Sequence, residues 1–530
     1  MGHKMSLRSL FERLTTKRYT IGRNDIIILA IGIGVFAAIS LATIAKSSIW
    51  FDEAFSAYII RFNFFEIWQF TAVDVHPPLY YWLLKLWSLL FGTTDIALRS
   101  MSVFFAGIAI VFGYLLLHRT FGRKVARYGL LVLILSPILV RYSQEMRMYT
   151  MVLAIALAAT YVLQLAVESG RRKLWVIYGV LVSLGMWTHY FAAIVWLAHW
   201  AWRAICVAKE TRRQPKKFKA AFFTKDWIVA HAVAVGLFLP WLPYLIKQLF
   251  IVQAFGFWIP PVSPVTLTNF FTSSVLYLDQ DGLTPWLTLG FVALAALSVW
   301  LSIRGYKALK RSQRPTYWLL LVLAFVPPML LVLASMPPLQ SSFMDRYLVT
   351  SSVAISILLG FVLWSSTQHK KRIVAIVVHI LIIGAGIIGI LNVYHYGNHN
   401  KTNNESSGAK QVVQQIAATP TAGDPIIAAS MWTYYDAVFY ESDNHSVWFI
   451  DTGSYEYGSL EMLRTRDHGK IRDTKEFLND HKTFWYVARS GEDMPKPPFD
   501  NLKQLQVLRQ PDPFTGKPAY TAIRYQVISE

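Results

Sequence analysis

Eleven runs of mostly apolar residues, each close to the length that crosses a bilayer, punctuate this chain of 530 residues. A spanning helix needs roughly 20 such residues, because the hydrocarbon core is about 30 Å thick and a helix rises about 1.5 Å per residue. The runs lie at about 25–45, 97–117, 125–140, 148–167, 174–188, 190–207, 227–247, 285–303, 317–335, 347–366 and 373–391, those at 125–140 and 174–188 being short. A further apolar stretch, 78–91, carries Lys85 and is rich in Trp and Tyr, which reads as a helix at the membrane interface. Only 15% of residues are charged, against about 25% in soluble domains. The expected fold is therefore mainly α, a polytopic membrane helical bundle.

The loops orient the bundle. A net charge of +20 would suggest a nucleic-acid partner in a soluble chain, but here the basic residues sit in short loops between apolar runs. Counted alternately, one side receives Lys4, Arg8, Arg13, Lys17, Arg18 and Arg23, then Arg119 to Arg127, Arg171 to Lys173, Lys209 to Lys225, Arg304 to Arg314, and Lys370 to Arg372. That side is expected to be cytoplasmic, which makes the lipid bilayer a partner, excludes nucleic acid, and predicts a multi-pass protein of the cell membrane. The opposite loops hold Asp52, Glu53, Glu66, Asp74, Glu145, Asp279, Asp281 and Asp345. Eleven crossings put the C-terminal segment outside. There, PIIAAS, SVWFI and TFWYVAR read as short strands, with helices near 408–418 and 474–480. The expected division is a basic arm 1–24, a membrane domain 25–395 with a first outer loop 46–96, a linker 396–404, and a small extracytoplasmic α/β domain 405–530. The single cysteine, Cys206, allows no intramolecular disulfide and no Cys-based metal site. The first apolar run is too long for a signal-peptide core. No internal repeat of the kind common in transporters is visible.

The first outer loop carries the densest chemistry. Phe51, Phe55, Tyr58, Phe62 and Phe65 recur at helical spacing, which predicts an amphipathic helix lying on the membrane. Asp52 and Glu53 open it. Neighbours on a helix point about 100° apart, so one acid faces any given point while the other orients a neighbour or a cation. A carboxylate in apolar surroundings is costly unless used, and a base for proton abstraction is one use; capping the helix N-terminus is the bland alternative. In Asp74-Val75-His76-Pro77-Pro78 the prolines hold His76 rigidly at the start of the interface helix, although a lone histidine is more often structural. RYSQEMRMYT supplies Arg141, Glu145, Arg147 and Tyr149. An arginine there could clamp a phosphate, or pair with Glu145 or reach lipid headgroups. Thr188-His189-Tyr190 and Asp345-Arg346-Tyr347 each set a polar group beside an aromatic at the outer ends of other runs. Arg346 is costly there unless paired, with Asp345 its obvious partner. Five clusters far apart in sequence fall on one side of a topology drawn from Lys and Arg alone, so acids and cations are expected to converge on one outer cavity.

In order, FDEAFS, HPPLYYWLLKLW followed by FG and ALRS, YSQEMRMYT, THYF and DRYL resemble the GT-C membrane glycosyltransferases of the PMT/ArnT type, glycosyltransferase families 39 and 83. The similarity covers about residues 25–350. The resemblance implies a sugar donor carried on a polyprenyl phosphate and inverting transfer to an extracytoplasmic acceptor, whether protein, glycolipid or polysaccharide. It maps the base to Asp52 with Glu53 beside it, and the donor-phosphate contacts to His76, Arg147 and Arg346; Lys85, on the interface stretch, is a further expected donor-phosphate contact. Asp74, Arg141, Glu145, Tyr149, His189, Tyr190 and Tyr347 are the expected supporting residues. No motif requires a cofactor. Asp52, Glu53, Asp74 and His76 include hard ligands for a divalent cation, but no spacing defines a site. A lipid or solute transporter is the alternative, and a structural membrane subunit a third reading. Asn404-Glu405-Ser406 and Asn444-His445-Ser446 fit the N-glycosylation pattern, and His395 and His399 read as linker rather than metal ligands.

Overall fold

A computed structural model describes residues 21–255, 259–278, 284–396, 408–420, 423–441, 446–455, 458–466, 468–489, 496–511 and 518–528. Most of the basic arm, Asp279, Asp281, His399, most of the linker, Asn404-Glu405-Ser406, and Asn444 and His445 of the second glycosylation pattern lie outside them.

All eleven expected runs are helical. Among the described residues, eight helices are long and apolar enough to cross a membrane: Arg23–Leu41, Asp95–Phe121, Tyr149–Ser169, Lys225–Val252, Pro285–Ala308, Arg314–Ala334, Asp345–Ser366 and Arg372–His395. A ninth candidate is the pair Arg123–Ile134 and Pro137–Ser143, bent by 55°. Pro137 opens the second half and has no N–H to continue the first. Arg172–Thr188 and Ala192–Glu210 are helices of 17 and 19 residues that do not meet the same measure; the second carries Arg203, Lys209 and Glu210. Helix packing uses small residues as lipid-embedded bundles do. A Cβ on Gly360 would lie 2.6 Å from the Cα of Gly129, so these two helices meet backbone to backbone. The chain is a multi-pass membrane protein.

The chain forms two compact units that cut across its linear order. One contains residues 1–42, 100–144 and 148–395; the other contains 43–99, 145–147 and 396–530. Residues 46–96, the stretch expected as the first outer loop, therefore group with the C-terminal segment.

Within that second unit, the aromatic stripe corrects the expectation of one surface helix. Two helices form, Phe51–Ile59 and Phe64–Val73. Asn63 breaks the chain between them: its Oδ1 accepts from Phe65 N and Glu66 N, and Glu66 Oε2 accepts from Asn63 N, a reciprocal cap readable in N-F-F-E. Phe55, Tyr58 and Phe62 are buried rather than spread on a membrane, because other aromatic rings of the same unit cover them. Helix Leu79–Phe91 keeps the expected amphipathic form, burying Tyr80, Tyr81 and Leu84 and exposing Leu86, Leu89, Leu90 and Phe91.

The C-terminal segment is α/β as expected. Its strands are β1 (Ile426–Ala428), β2 (Val447–Ile450), β3 (Lys470–Ile471), β4 (Thr483–Arg489), β5 (Leu502–Pro511) and β6 (Pro518–Val527), in the order β3-β2-β1-β4-β6-β5. The first four are parallel, and β6 pairs antiparallel with β4 and β5. Ile427, Phe484, Tyr486 and Ile523 lie in its core with Ile471 and Phe477. Helices Ala409–Ala417 and Thr474–Asp480 appear where expected. Helix Met431–Tyr440 was not anticipated, although Ser430 caps it by accepting from Thr433 N.

Candidate active site

An arginine that the motif reading passed over organises the first loop. Arg99, in the first turns of helix Asp95–Phe121, is fully buried. A buried guanidinium must be paired and its donors filled. Its Nε and Nη2 donate to the two oxygens of Glu53 at 2.8 and 2.6 Å. Its remaining bonds go to the carbonyls of Ile44, Ser47 and Ser48. The signal was present in ALRS: an arginine among apolar residues at a span's end needs a partner.

Glu53 is equally buried, and its Oε1 also accepts from Met146 N at 2.8 Å. This one carboxylate thus pins the 145–147 segment against helix Phe51–Ile59. The two adjacent acids separate in role as their angular offset requires: Glu53 is saturated by Arg99 and by the backbone amides of Met146 and of the helix cap Trp50, while the Asp52 side chain keeps 24% of its surface exposed.

Arg147 is delivered beside Asp52. Its Nη1 donates to Asp52 O, Ser56 Oγ and Tyr81 Oη, each at 3.2 Å. Its Nη2 lies 3.2 Å from His76 Nε2 and 3.8 Å from Asp52 Oδ2. A guanidinium only donates, so His76 Nε2 is the acceptor and its proton sits on Nδ1, which donates to Asp74 Oδ2 at 3.2 Å. Burial pushes the His76 imidazole below its ordinary value, and Arg147 adds to this while Asp74 opposes it. The ring is a neutral link between Asp74 and Arg147. Burial likewise raises the Tyr80 and Tyr81 hydroxyls well above the usual phenol range, so both stay protonated. Ser56, Tyr80 and Tyr81 were not singled out in the sequence; the last two sit in YYWLLKLW, where nothing local separates a packing tyrosine from one that faces an arginine.

Asp52, Asp74, His76 and Arg147 are therefore brought together. Lys85 is placed differently: its Nζ donates to Ile60 O at 2.9 Å, capping the far end of helix Phe51–Ile59 from Asp52. Glu145 is buried in the same unit. The other expected residues belong to the first unit. There Arg141 Nε donates to Tyr277 Oη. Tyr149 packs on His189, and His189 on Tyr347. Tyr190 Oη accepts from Trp241 Nε1 and donates to Gln248. Arg346 is buried in the turn Asp345–Leu348, with its guanidinium over the Tyr347 ring. Among the described residues, no group of three or more His, Cys, Asp or Glu side chains could hold a metal ion.

The whole architecture matches the crystal structure of ArnT from Cupriavidus metallidurans bound to undecaprenyl phosphate, at a TM-score of 0.58 over 94% of this chain and 97% of that one, with 14% identity. The chain has the GT-C fold. Apo ArnT from the same organism gives a TM-score of 0.58 at 12% identity, covering 95% of this chain and 97% of that one. Residues 75–244 match the family model for dolichyl-phosphate-mannose-protein mannosyltransferase. This segment of the GT-C chain includes His76, Tyr81, Arg99 and Arg147. No curated protein matches the sequence.

Proposed function

We propose that this protein is an inverting glycosyltransferase that takes a hexose or pentose from a polyprenyl-phosphate donor and passes it to an acceptor outside the cytoplasm. The observation that carries the reading is a part-exposed carboxylate, Asp52, set 3.8 Å from the buried Arg147 in the first loop of a GT-C fold. The match of 75–244 to a family of mannosyltransferases that use a lipid-phosphate sugar supports it, as does the undecaprenyl phosphate bound to ArnT. The bias of Lys and Arg to one set of loops supports a cytoplasmic N-terminus and an external C-terminal domain.

In this reading Asp52 takes the proton from the acceptor hydroxyl or amine. The freed electron pair attacks the anomeric carbon, the bond from that carbon to the phosphate oxygen breaks, and polyprenyl phosphate leaves with the bonding electrons. Arg147 supplies positive charge as the phosphate departs. His76, neutral and hydrogen-bonded to Asp74, holds Arg147 in register. Glu53 and Arg99 form the support beneath, and Arg346 is kept as a second phosphate contact on sequence grounds.

The test offers the purified protein a panel of polyprenyl-phosphate sugars and follows release of polyprenyl phosphate. Asp52→Asn keeps size and shape but removes the base, so kcat is expected to fall by about 10²–10⁴. Turnover of Asp52→Asn at the wild-type rate would refute the assignment.

A further inference from the structure

The helix bearing Asp52 is built into the C-terminal domain rather than merely placed near it. Phe51 packs edge-on against Trp432 with ring centroids 4.4 Å apart, and Tyr58 packs against Tyr435 at 4.8 Å. The residue before the helix's cap, Ile49, donates its backbone N–H to Tyr440 Oη at 2.8 Å. Ser48, one step earlier, donates to Gln411 Oε1 and accepts from Lys410 N. Lys410 Nζ reaches both Ala45 O and Asp95. Thus the strand of chain leading into helix Phe51–Ile59 is held by residues more than 350 positions later, and two of the helix's own rings lie against helix Met431–Tyr440. That helix is in turn anchored to the sheet, because buried Asp436 accepts from Arg489 of β4 and Tyr520 of β6.

These contacts have a definite geometry for catalysis. Phe51 and Asp52 are adjacent, so the Trp432 ring acts on the residue next to the proposed base. Ile49 and Trp50 set the angle at which the helix begins. On the opposite side, Arg147 takes the Asp52 carbonyl and Ser56. The helix is gripped on one side by Arg147 and on the other by the C-terminal domain, and its rotation about its own axis decides where the Asp52 carboxylate points.

We propose that Trp432 and Tyr440 of the C-terminal domain are positioning residues for Asp52, so that this domain completes the active site instead of serving as a separate acceptor-binding module. The proposal rests on the role given to Asp52 above. Displacement of a reacting group by about 1 Å costs on the order of 100-fold in rate, so loosening this grip should reduce turnover without weakening the donor's binding.

The test uses the full chain with Trp432→Ala, Trp432→Phe and Tyr440→Phe, and reads two quantities. The first is amide hydrogen–deuterium exchange over 51–59, compared with helix Tyr149–Ser169 as an internal control. Trp432→Ala and Tyr440→Phe are expected to speed exchange in 51–59 by about 10-fold while the control is unchanged, and Trp432→Phe is expected to restore protection. The second is steady-state transfer, where kcat should fall by about 10- to 100-fold with KM for donor and acceptor held. Unchanged exchange over 51–59 overturns the proposal, as does a rise in acceptor KM with kcat intact, which would make the domain an acceptor site. If wild type transfers no sugar from any donor, the functional reading fails, while exchange still decides whether the C-terminal domain holds this helix. Should Trp432→Ala fail to fold, Tyr440→Phe alone carries the decision, since it removes a single oxygen.

Discussion

At the scale of single residues, the site depends on which atoms carry protons. His76 accepts from Arg147 at Nε2 and donates to Asp74 at Nδ1, so adding a proton to Nε2 would turn the acceptor into a donor facing a guanidinium. Its value in the folded protein lies below the ordinary 6.5. The unfolded chain binds this proton at higher pH than the fold does, so the contribution of the neutral ring to stability is full above pH 6.5 and is lost as pH falls from there toward the folded value. Activity should follow the same direction. The acid limb of kcat/KM is expected to move to lower pH in His76→Gln, whose amide can still accept from Arg147 but does not titrate. A superimposable acid limb in the two proteins would mean that His76 protonation plays no part in turnover. None of this chemistry was readable from DVHPP alone: the motif marks a rigid histidine, but its tautomer is set by an arginine 71 positions away.

At the scale of elements, the Arg99–Glu53 pair joins the loop 43–48, helix Phe51–Ile59, the segment 145–147 and the start of helix Asp95–Phe121. Both side chains are fully buried. Removing one partner strands the other charge, so Arg99→Met is expected to lower stability by about 3–5 kcal/mol. Replacing both, as in Glu53→Gln with Arg99→Met, should recover much of that loss. Thermal unfolding of the two variants in the same detergent checks this, and a double variant no more stable than the single one would count against the pair as the clasp. The aromatic stripe illustrates the limit of pattern reading at this scale. Helical spacing correctly announced an apolar face on Phe51–Ile59, but periodicity reports that a face is apolar and not what covers it. Lipid and a second aromatic helix leave the same mark in the sequence. Asn63 and Glu66 could have placed the break between the two loop helices, since their cap is local.

At the scale of the whole molecule, cysteine labelling tests the expected topology directly. With Cys206 replaced by serine, a single new cysteine reports the side of the membrane it occupies. Ser454→Cys, exposed in the C-terminal domain, is expected to react with a membrane-impermeant maleimide in intact cells, and Gln214→Cys, exposed in the basic loop between Glu210 and Lys225, only after lysis. The reverse pattern would overturn the orientation, and with it the extracytoplasmic acceptor. The compact units add a constraint that chain order hides: the first loop and the C-terminal segment cluster together although roughly 300 residues of membrane helices separate them in sequence. A helical bundle folded by short local connections leaves its outer loops to be completed by whichever distant segment buries their apolar faces.

Sequence alone determined the membrane character, the run of helices, the α/β nature of the C-terminal segment and the short set of polar residues worth examining, because each depends on local composition, spacing and charge. The three-dimensional fold decided which of those residues meet. It joined Asp52 to Arg147 and His76, tied Glu53 to the overlooked Arg99, turned Lys85 toward a backbone carbonyl, and set Trp432 and Tyr440 behind the first-loop helix. Those outcomes depend on contacts between segments tens to hundreds of positions apart, and a buried charge or ring is indifferent to how far along the chain its partner lies, provided that partner fills the space and satisfies the hydrogen bonds.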